Sequence, residues 1–394
     1  MRLVEVSAIN LRPGMFVAEL DRPWLDTPFS IQGFVVRDDD DVMYVAKHVD
    51  HVYVDADYHG GDIFLPQTES SSIALGGGGV LSLKADFAQA KLSFASAADT
   101  LDGVFNSLNG GLELDIGTVK DAVRPLIDSV FQNSQAVAAL ARMKDTGEYR
   151  YNHSIAMAVW AAILGRHIGL HRDELEKLVT GCAMCDVGMS RIPREILDQS
   201  ESLSDKQRKQ IRAHTQLGVD LLKRSKNVDL EIVVVVESHH ERHDGSGYPK
   251  GLSGSEISLL ARIAGLVDSY DAMISTRPHA PGRSSFEATQ ELLDSKNILF
   301  QGALVEQFVQ AIGLFPVTAL VELNTGEVAI VVEQNPMRRL KPEVLIVLDA
   351  QKQAKQHNEL LNLADRQLVG EEARWIVREL APGTYGIDSQ DFFI

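Results

Sequence analysis

Seven of the twelve histidines in this 394-residue chain fall between positions 153 and 243, several of them in stretches whose apolar spacing is that of helices with one face to bury. That combination limits the fold, because an imidazole or carboxylate on a buried stripe is costly unless it is paired or binds a cation. His153 opens HSIAMAVWAAILGRHIGL. The segment LEKLVTGCAMCDVGM carries apolar residues at 175, 178 and 179, and the same spacing places Cys182, Cys185 and Asp186 on the inward stripe. Gly188 is expected to end that helix. His214 lies in IRAHTQLGVDLL on a face shared with Ile211, Leu217 and Gly218. His239 and His240 close an apolar helix and lead into DGSGYP, a tight turn whose backbone amides are expected to face an anion. Lastly, ISLLARIAGLVDSYDAMIS (257–275) puts Asp268 and Asp271 at i, i+3 on an otherwise apolar helix.

Each feature alone has an ordinary reading: a lone helical histidine caps a helix or fills a core. Together, His153, Asp186, His214, His239, His240 and Asp268 form a set of imidazoles and carboxylates that suits Fe, Mn, Zn or Ni. Six such groups exceed the needs of one tetrahedral zinc and match two metals sharing a bridging carboxylate. Two metals about 3.5–4 Å apart are a general device for phosphodiester hydrolysis: they activate a water and neutralise phosphate charge.

The net charge of −17 argues against non-specific DNA binding, which needs a basic face, but leaves room for a small anion held locally. The hydrophobic fraction of 45% and charged fraction of 24% are those of an ordinary globular chain. No apolar run approaches the roughly 20 residues that span a bilayer, so no membrane segment is expected. Two cysteines and no signal-peptide core point to the reducing cytoplasm.

Residues 1–65 read as a small β-rich domain in which RDDDD (37–41) is a solvated turn between strands FVV and VMYV, with HVYVD (51–55) as another strand. PQTESSSIALGGGG opens a linker over 66–83; no Gly-Lys-Ser/Thr follows its glycines, so a phosphate loop is not read there. Residues 84–144 read as a helical connector or dimerisation stalk, or equally as packing helices of one domain, and 145–315 as a helical domain. Residues 316–394 hold a hairpin turning at Asn324-Thr325-Gly326, a strand VLIVLD (344–349) and a mixed tail. The expected class is mainly α, with a β-rich front and a C-terminal β-hairpin region.

GCAMCDVGM (181–189) admits three readings. A redox pair would use Cys182-x-x-Cys185, but such pairs sit at helix N-termini, where the dipole favours thiolate, and these lie late in a helix. Half a zinc site would need a second cysteine pair that the chain lacks. In the third reading, Cys185 replaces another ligand of a metal site.

HHERHDGSGYPKGL resembles the signature of the HD-GYP family, bacterial phosphodiesterases of cyclic di-GMP within the HD hydrolase superfamily. Its elements stand as His239-His240-Glu241, Asp244-Gly245-Ser246-Gly247-Tyr248-Pro249 and Lys250-Gly251-Leu252. Tyr151-Asn152-His153-Ser154, Ile192-Pro193, His214 with Gly218, Ala261-Arg262-Ile263 with Asp268 and Asp271-Ala272, and Arg277-Pro278 also match. The front segment is similar to the small domain of unknown function that often precedes such domains. The resemblance covers about residues 145–315 and implies an HD-GYP helical bundle. By it, one metal would be held by His153, the dyad histidine, Asp186 and Asp268, and the other by Asp186, His214, His239 and His240. The metals would be iron or manganese, Asp186 would bridge them, and Asp186 and Asp268 would be the catalytic carboxylates. Arg277, Gly247, Tyr248 and Pro249 would seat cyclic di-GMP. The product would be the linear dinucleotide, or GMP. Diguanylate cyclases that dock on the GYP loop, and a second copy of the chain, are the expected protein partners.

The dyad departs from the family. HD-x-GK reads Cys185-Asp186-Val187-Gly188-Met189, so cysteine stands at the ligand position and methionine at the lysine. His279 and Ala280 follow Arg277-Pro278 where the family often has Tyr and a basic residue. A thiolate is itself a good iron or zinc ligand, so Cys185 either rescues the first metal position or leaves it weak. Loss of the lysine's charge predicts reduced turnover. The other reading is a non-catalytic cyclic di-GMP receptor or protein-interaction module.

Overall fold

The computed structural model describes residues 3–13, 15–21, 34–36, 39–55, 78–109, 113–143, 149–197, 199, 203–225, 228–275, 282–335, 340–365 and 373–393. It is mostly helical, with a small sheet near each end. The front sheet has strands β1 (Leu3–Ser7), β2 (Phe16–Leu20), β3 (Phe34–Val35) and β4 (His51–Asp55) in the order β1-β4-β2-β3, all antiparallel. The expected strand VMYV is instead part of helix α1 (Asp39–Ala46). Val42 and Val45, three apart, enter the local core with Val17, Val52 and Val54, while Met43 stays exposed. Those apolar positions therefore follow helical spacing, and Asp39 to Asp41 stand in the first turn, where the helix dipole favours negative charge. Residues 66–77 of the expected linker lie outside the described residues; from Gly78 onward the chain is helix α2 (Gly78–Asn109).

Helix α2 pairs with α3 (Ile116–Arg142), whose N-terminus is capped by Asp115. Next come α4 (Tyr149–His167), α5 (Arg172–Met184), the short α6 (Arg194–Leu197), α7 (Asp205–Arg212), α8 (His214–Leu222), α9 (Leu230–Ser238), α10 (Leu259–Ile274), α11 (Ser285–Asp294) and α12 (Gly302–Ile312). Helix α4 is the axis of the bundle: every residue from His153 to Leu164 is buried. Such all-round burial needs a helix apolar on every side, and IAMAVWAAIL supplies one. Trp160 meets Tyr270 of α10 edge-on at 5.3 Å, and Tyr270 meets Phe308 of α12 at 5.0 Å. Each such pair contributes about 0.5–1.5 kcal/mol beyond its buried area.

The C-terminal hairpin is present as β5 (Leu320–Leu323) and β6 (Val328–Glu333), turning through Gly326 at φ +82°. It belongs to a larger sheet with β7 (Glu343–Leu348), β8 (Ala354–Asn362) and β9 (Ile376–Glu379), in the order β8-β7-β6-β5-β9. One face of this sheet, including Leu320, Val328, Ile330 and Val347, shares the core of the helices, and Phe393 stacks on Phe87 of α2 at 6.0 Å. A buried ion pair ties the two parts: Arg142 of α3 donates to Glu379 of β9 at 3.0 Å, and Glu379 also accepts the Phe286 N–H at the start of α11, at 2.8 Å.

Candidate metal centre

Helix α5 ends at Met184, and Cys185 is its C-cap. Asp186 follows, ahead of a tight 3-10 turn over Val187–Arg191. Gly188 therefore lies beyond the helix rather than ending it, and its lack of a side chain has another cause. A Cβ there would stand 1.9 Å from the His214 carbonyl oxygen and 2.6 Å from the Gly218 nitrogen. The turn that carries Asp186 is thus pressed onto the backbone of α8 that carries His214. Gly188→Ala is expected to cost about 3 kcal/mol, through the overpacking it forces on two backbones. Chemical denaturation would register this as a lowered midpoint, and an unchanged midpoint would show that the turn yields freely.

His214 and His239 are fully buried and set alike. His214 donates Nδ1–H to the Ile211 carbonyl at 2.8 Å, and His239 donates Nδ1–H to the Val236 carbonyl at 2.9 Å. Both acceptors are carbonyls, so both Nδ1 atoms must carry the proton, and each Nε2 is left as a lone-pair donor. The two Nε2 atoms face each other at 3.2 Å. Two lone pairs at that distance repel unless a proton or a cation lies between them. Burial first, and then the neighbouring His214, pushes the His239 pKa down to about 4, so His239 resists the proton. His240 is likewise held well below its ordinary range by burial and by His239. The ligand atoms of His214, His239 and His240 all lie within 4.8 Å of one another. Convergent imidazoles, two of them buried with their Nδ1 atoms held by backbone carbonyls, fit a divalent metal.

Two carboxylates and a fourth imidazole adjoin the trio. Asp186 places Oδ1 3.5 Å from His214 Nε2 and Oδ2 3.9 Å from His153 Nε2. Asp268 lies 3.2 Å from His153 Nε2 and 3.6 Å from His240 Nδ1. Burial alone would raise the Asp268 pKa, but His153 and the neighbouring imidazoles hold it well below the ordinary carboxylate range. His153 is itself buried, which opposes its charge, yet Asp268 and Asp271 lift its pKa to about 10; a bound cation would take that proton's place.

The structure thus brings together His153, Asp186, His214, His239, His240 and Asp268, from α4, α8, α10 and the ends of α5 and α9. Cys185 adjoins Asp186 but is buried against Cys182, and burial first, then Cys182, pushes its thiol well above the usual range. Arg277 lies outside the described residues.

Three residues acquire roles that sequence spacing did not assign. Asp271 is wholly buried and accepts from His153 Nδ1 at 2.6 Å, Trp160 Nε1 at 3.0 Å and Ser275 Oγ at 3.2 Å. It aims His153 Nε2 at the centre, the carboxylate–histidine device of metal sites. Its i, i+3 relation to Asp268 on an apolar helix was the available signal. Glu241 is buried and takes the amides of Lys250 at 2.7 Å and Leu252 at 2.9 Å. The remaining residue is Arg212, which touches the Tyr248 ring.

The GYP turn folds back on the histidines rather than presenting its amides to a ligand. Gly245 N–H donates to Arg242, Ser246 N–H to Asp244 and Tyr248 N–H to the His240 carbonyl. With Lys250 and Leu252 given to Glu241, these five amides are spent inside the protein, which leaves the turn with fewer donors for an anion than its sequence suggests. Gly247 fits because a Cβ would meet the Arg242 nitrogen at 2.4 Å and the His240 oxygen at 2.5 Å. Tyr248, next to the cis Pro249, stacks on His240 at 4.7 Å, so the turn supplies a wall of the centre.

Comparison with known proteins agrees with this geometry. An HD domain model matches residues 127–303, a domain of unknown function (DUF3391) matches 3–119, and a KOW domain associated with HD domain matches 320–385. The cyclic di-GMP phosphodiesterase PA4108 of Pseudomonas aeruginosa is 31% identical over 359 residues, covering 88% of this chain and 86% of that protein. The cyclic di-GMP phosphodiesterase response regulator RpfG of Xanthomonas campestris is 30% identical over 176 residues, 43% of this chain and 47% of its own. Among solved structures, Bd1817, a HDG"Y"P protein from Bdellovibrio bacteriovorus, aligns with a TM-score of 0.48 and 16% identity over 78% of this chain and 98% of that one. With its HHE and GYP elements folded onto one centre, and a relative that similar along nearly its whole length, the chain belongs to the HD-GYP family, in a form whose dyad reads Cys185-Asp186.

Proposed function

We propose that this chain is a metal-dependent phosphodiesterase that opens cyclic di-GMP to the linear dinucleotide, with turnover reduced by Cys185 and Met189. The observation that carries the reading is the meeting of three imidazoles within 4.8 Å, with Asp186 and Asp268 at their side. Divalent ions, iron or manganese, would supply Lewis-acid charge for the phosphodiester and a reactive water at neutral pH. One would be held by His214, His239, His240 and Asp186. A second would be held by Asp186, Asp268 and His153, with Cys185 as a poor fourth ligand. Asp271 keeps His153 aimed, Tyr248 walls the site, and Arg277 would contact the phosphate.

A second reading rests on Cys185. Its sulfur is buried beside Cys182, and only the imidazole trio converges closely among the described residues. A centre with one filled position would bind cyclic di-GMP without cutting it, acting as a receptor, with the GYP loop as a docking surface for diguanylate cyclases. A cytoplasmic homodimer is the assembly proposed with either reading. Among the described residues no helix is long and apolar enough to cross a membrane.

Chromatography of cyclic di-GMP incubated with the iron- or manganese-loaded protein tests the proposal. Metal-dependent appearance of the linear dinucleotide is expected. Saturable binding with no product would favour the receptor, and neither binding nor product would end both readings.

A further inference from the structure

A cyclic dinucleotide carries two phosphates, and the metal centre can take one. The positive charge for the other has to come from elsewhere in a chain of net charge −17. The amides of Gly245, Ser246, Tyr248, Lys250 and Leu252 are spent internally, and the family's lysine is Met189. Nearby cations are mostly committed. Arg242 donates to the carbonyls of His239 and Glu241 and to Ser269, and Lys250 pairs with Glu237 at 2.7 Å.

Arg212 is different. It is exposed, at the end of α7 and two residues before His214. Its guanidinium lies 5.0 Å from the centroid of the Tyr248 ring, whose other ring neighbours are His240 at 4.7 Å and His214 at 6.5 Å. No described carboxylate or carbonyl pairs with that guanidinium. The contact with Tyr248 holds the charge against a ring that also stacks on His240, on a residue that is itself exposed. A planar fork of donors suits phosphate, and a pre-held one loses less entropy on binding.

We propose that Arg212 is a substrate-binding residue that takes the second, non-reacting phosphate of the cyclic dinucleotide while the metal centre takes the first. This rests on the functional reading above. Calorimetric titration of the metal-loaded protein with cyclic di-GMP tests it. Arg212→Gln is expected to weaken binding about tenfold or more and to flatten its dependence on salt. Arg212→Lys should recover part of the affinity. Metal per chain and melting temperature should stay at parent values, because Arg212 is exposed and outside the ligand set. Cyclic GMP–AMP should lose affinity by the same factor, since the phosphates are common to both ligands. A loss confined to cyclic di-GMP would assign Arg212 to a guanine and overturn the phosphate assignment. Equal affinity of parent and Arg212→Gln would overturn it while leaving the functional reading intact. A parent that binds no cyclic dinucleotide would end both.

Discussion

Asp186→Ala is expected to lower turnover of cyclic di-GMP about 10³-fold and to strip metal from both halves of the centre. The reason is its position. One oxygen faces His214 at 3.5 Å and the other faces His153 at 3.9 Å, so a single carboxylate serves the imidazole trio and the Asp268 side together. Its side chain is 23% exposed, which makes the change tolerable to the fold and separates loss of metal from loss of structure. Elemental analysis beside steady-state kinetics would report both quantities. Asp186→Asn, which keeps the shape and removes the charge, should behave nearly as badly. If either variant keeps its metal and loses less than tenfold in rate, Asp186 does not join the two halves.

The second large effect runs in the opposite direction. Cys185→His with Met189→Lys is expected to raise turnover about 10²-fold and to tighten the hold on the second metal. A thiol ends one bond beyond Cβ, whereas an imidazole reaches a full ring further, so a buried cysteine at a histidine's position falls short of the ion. Cys185 is 1% exposed and packs with Cys182, so the new ring has to displace neighbours, and a melting curve must accompany the kinetics. Met189 is half-buried in the middle of the turn that follows Asp186, a place from which lysine would add charge beside the phosphate. A parent that already binds two ions, with a rate the double change leaves alone, would make Cys185 a working ligand.

The helical region and its six converging side chains were legible because their apolar spacing, buried polar positions and local motifs all agreed. What stayed hidden depended on contacts far along the chain. Asp271 meets His153 across 118 positions and Trp160 across 111, so its orienting role has no local sign. Glu241 takes amides nine and eleven positions ahead, and the turn therefore read as an open anion site. Gly188 read as a helix stop because close approach to another backbone leaves the same residue in the sequence as a positive φ would. Helix α7 is polar apart from Ile211, so nothing in its spacing singled out Arg212. Strand β8 is largely exposed and lacks the alternation that reveals a strand, so the last sheet appeared as a hairpin with a tail. Helix α1 was misread because VMYV is short, apolar throughout and β-branched at both ends, and a continuous apolar run shows neither period clearly.

The Arg142–Glu379 pair has a consequence for how the protein comes apart. Its side chains are 12% and 2% exposed, and removing either would strand the other's charge away from water. The pair also closes over the start of α11, and the sheet that supplies Glu379 completes the helices' own core. Melting of the last eighty residues and melting of the bundle should therefore be a single cooperative event, and a shortened chain ending near residue 315 would be an unfinished molecule rather than a minimal enzyme.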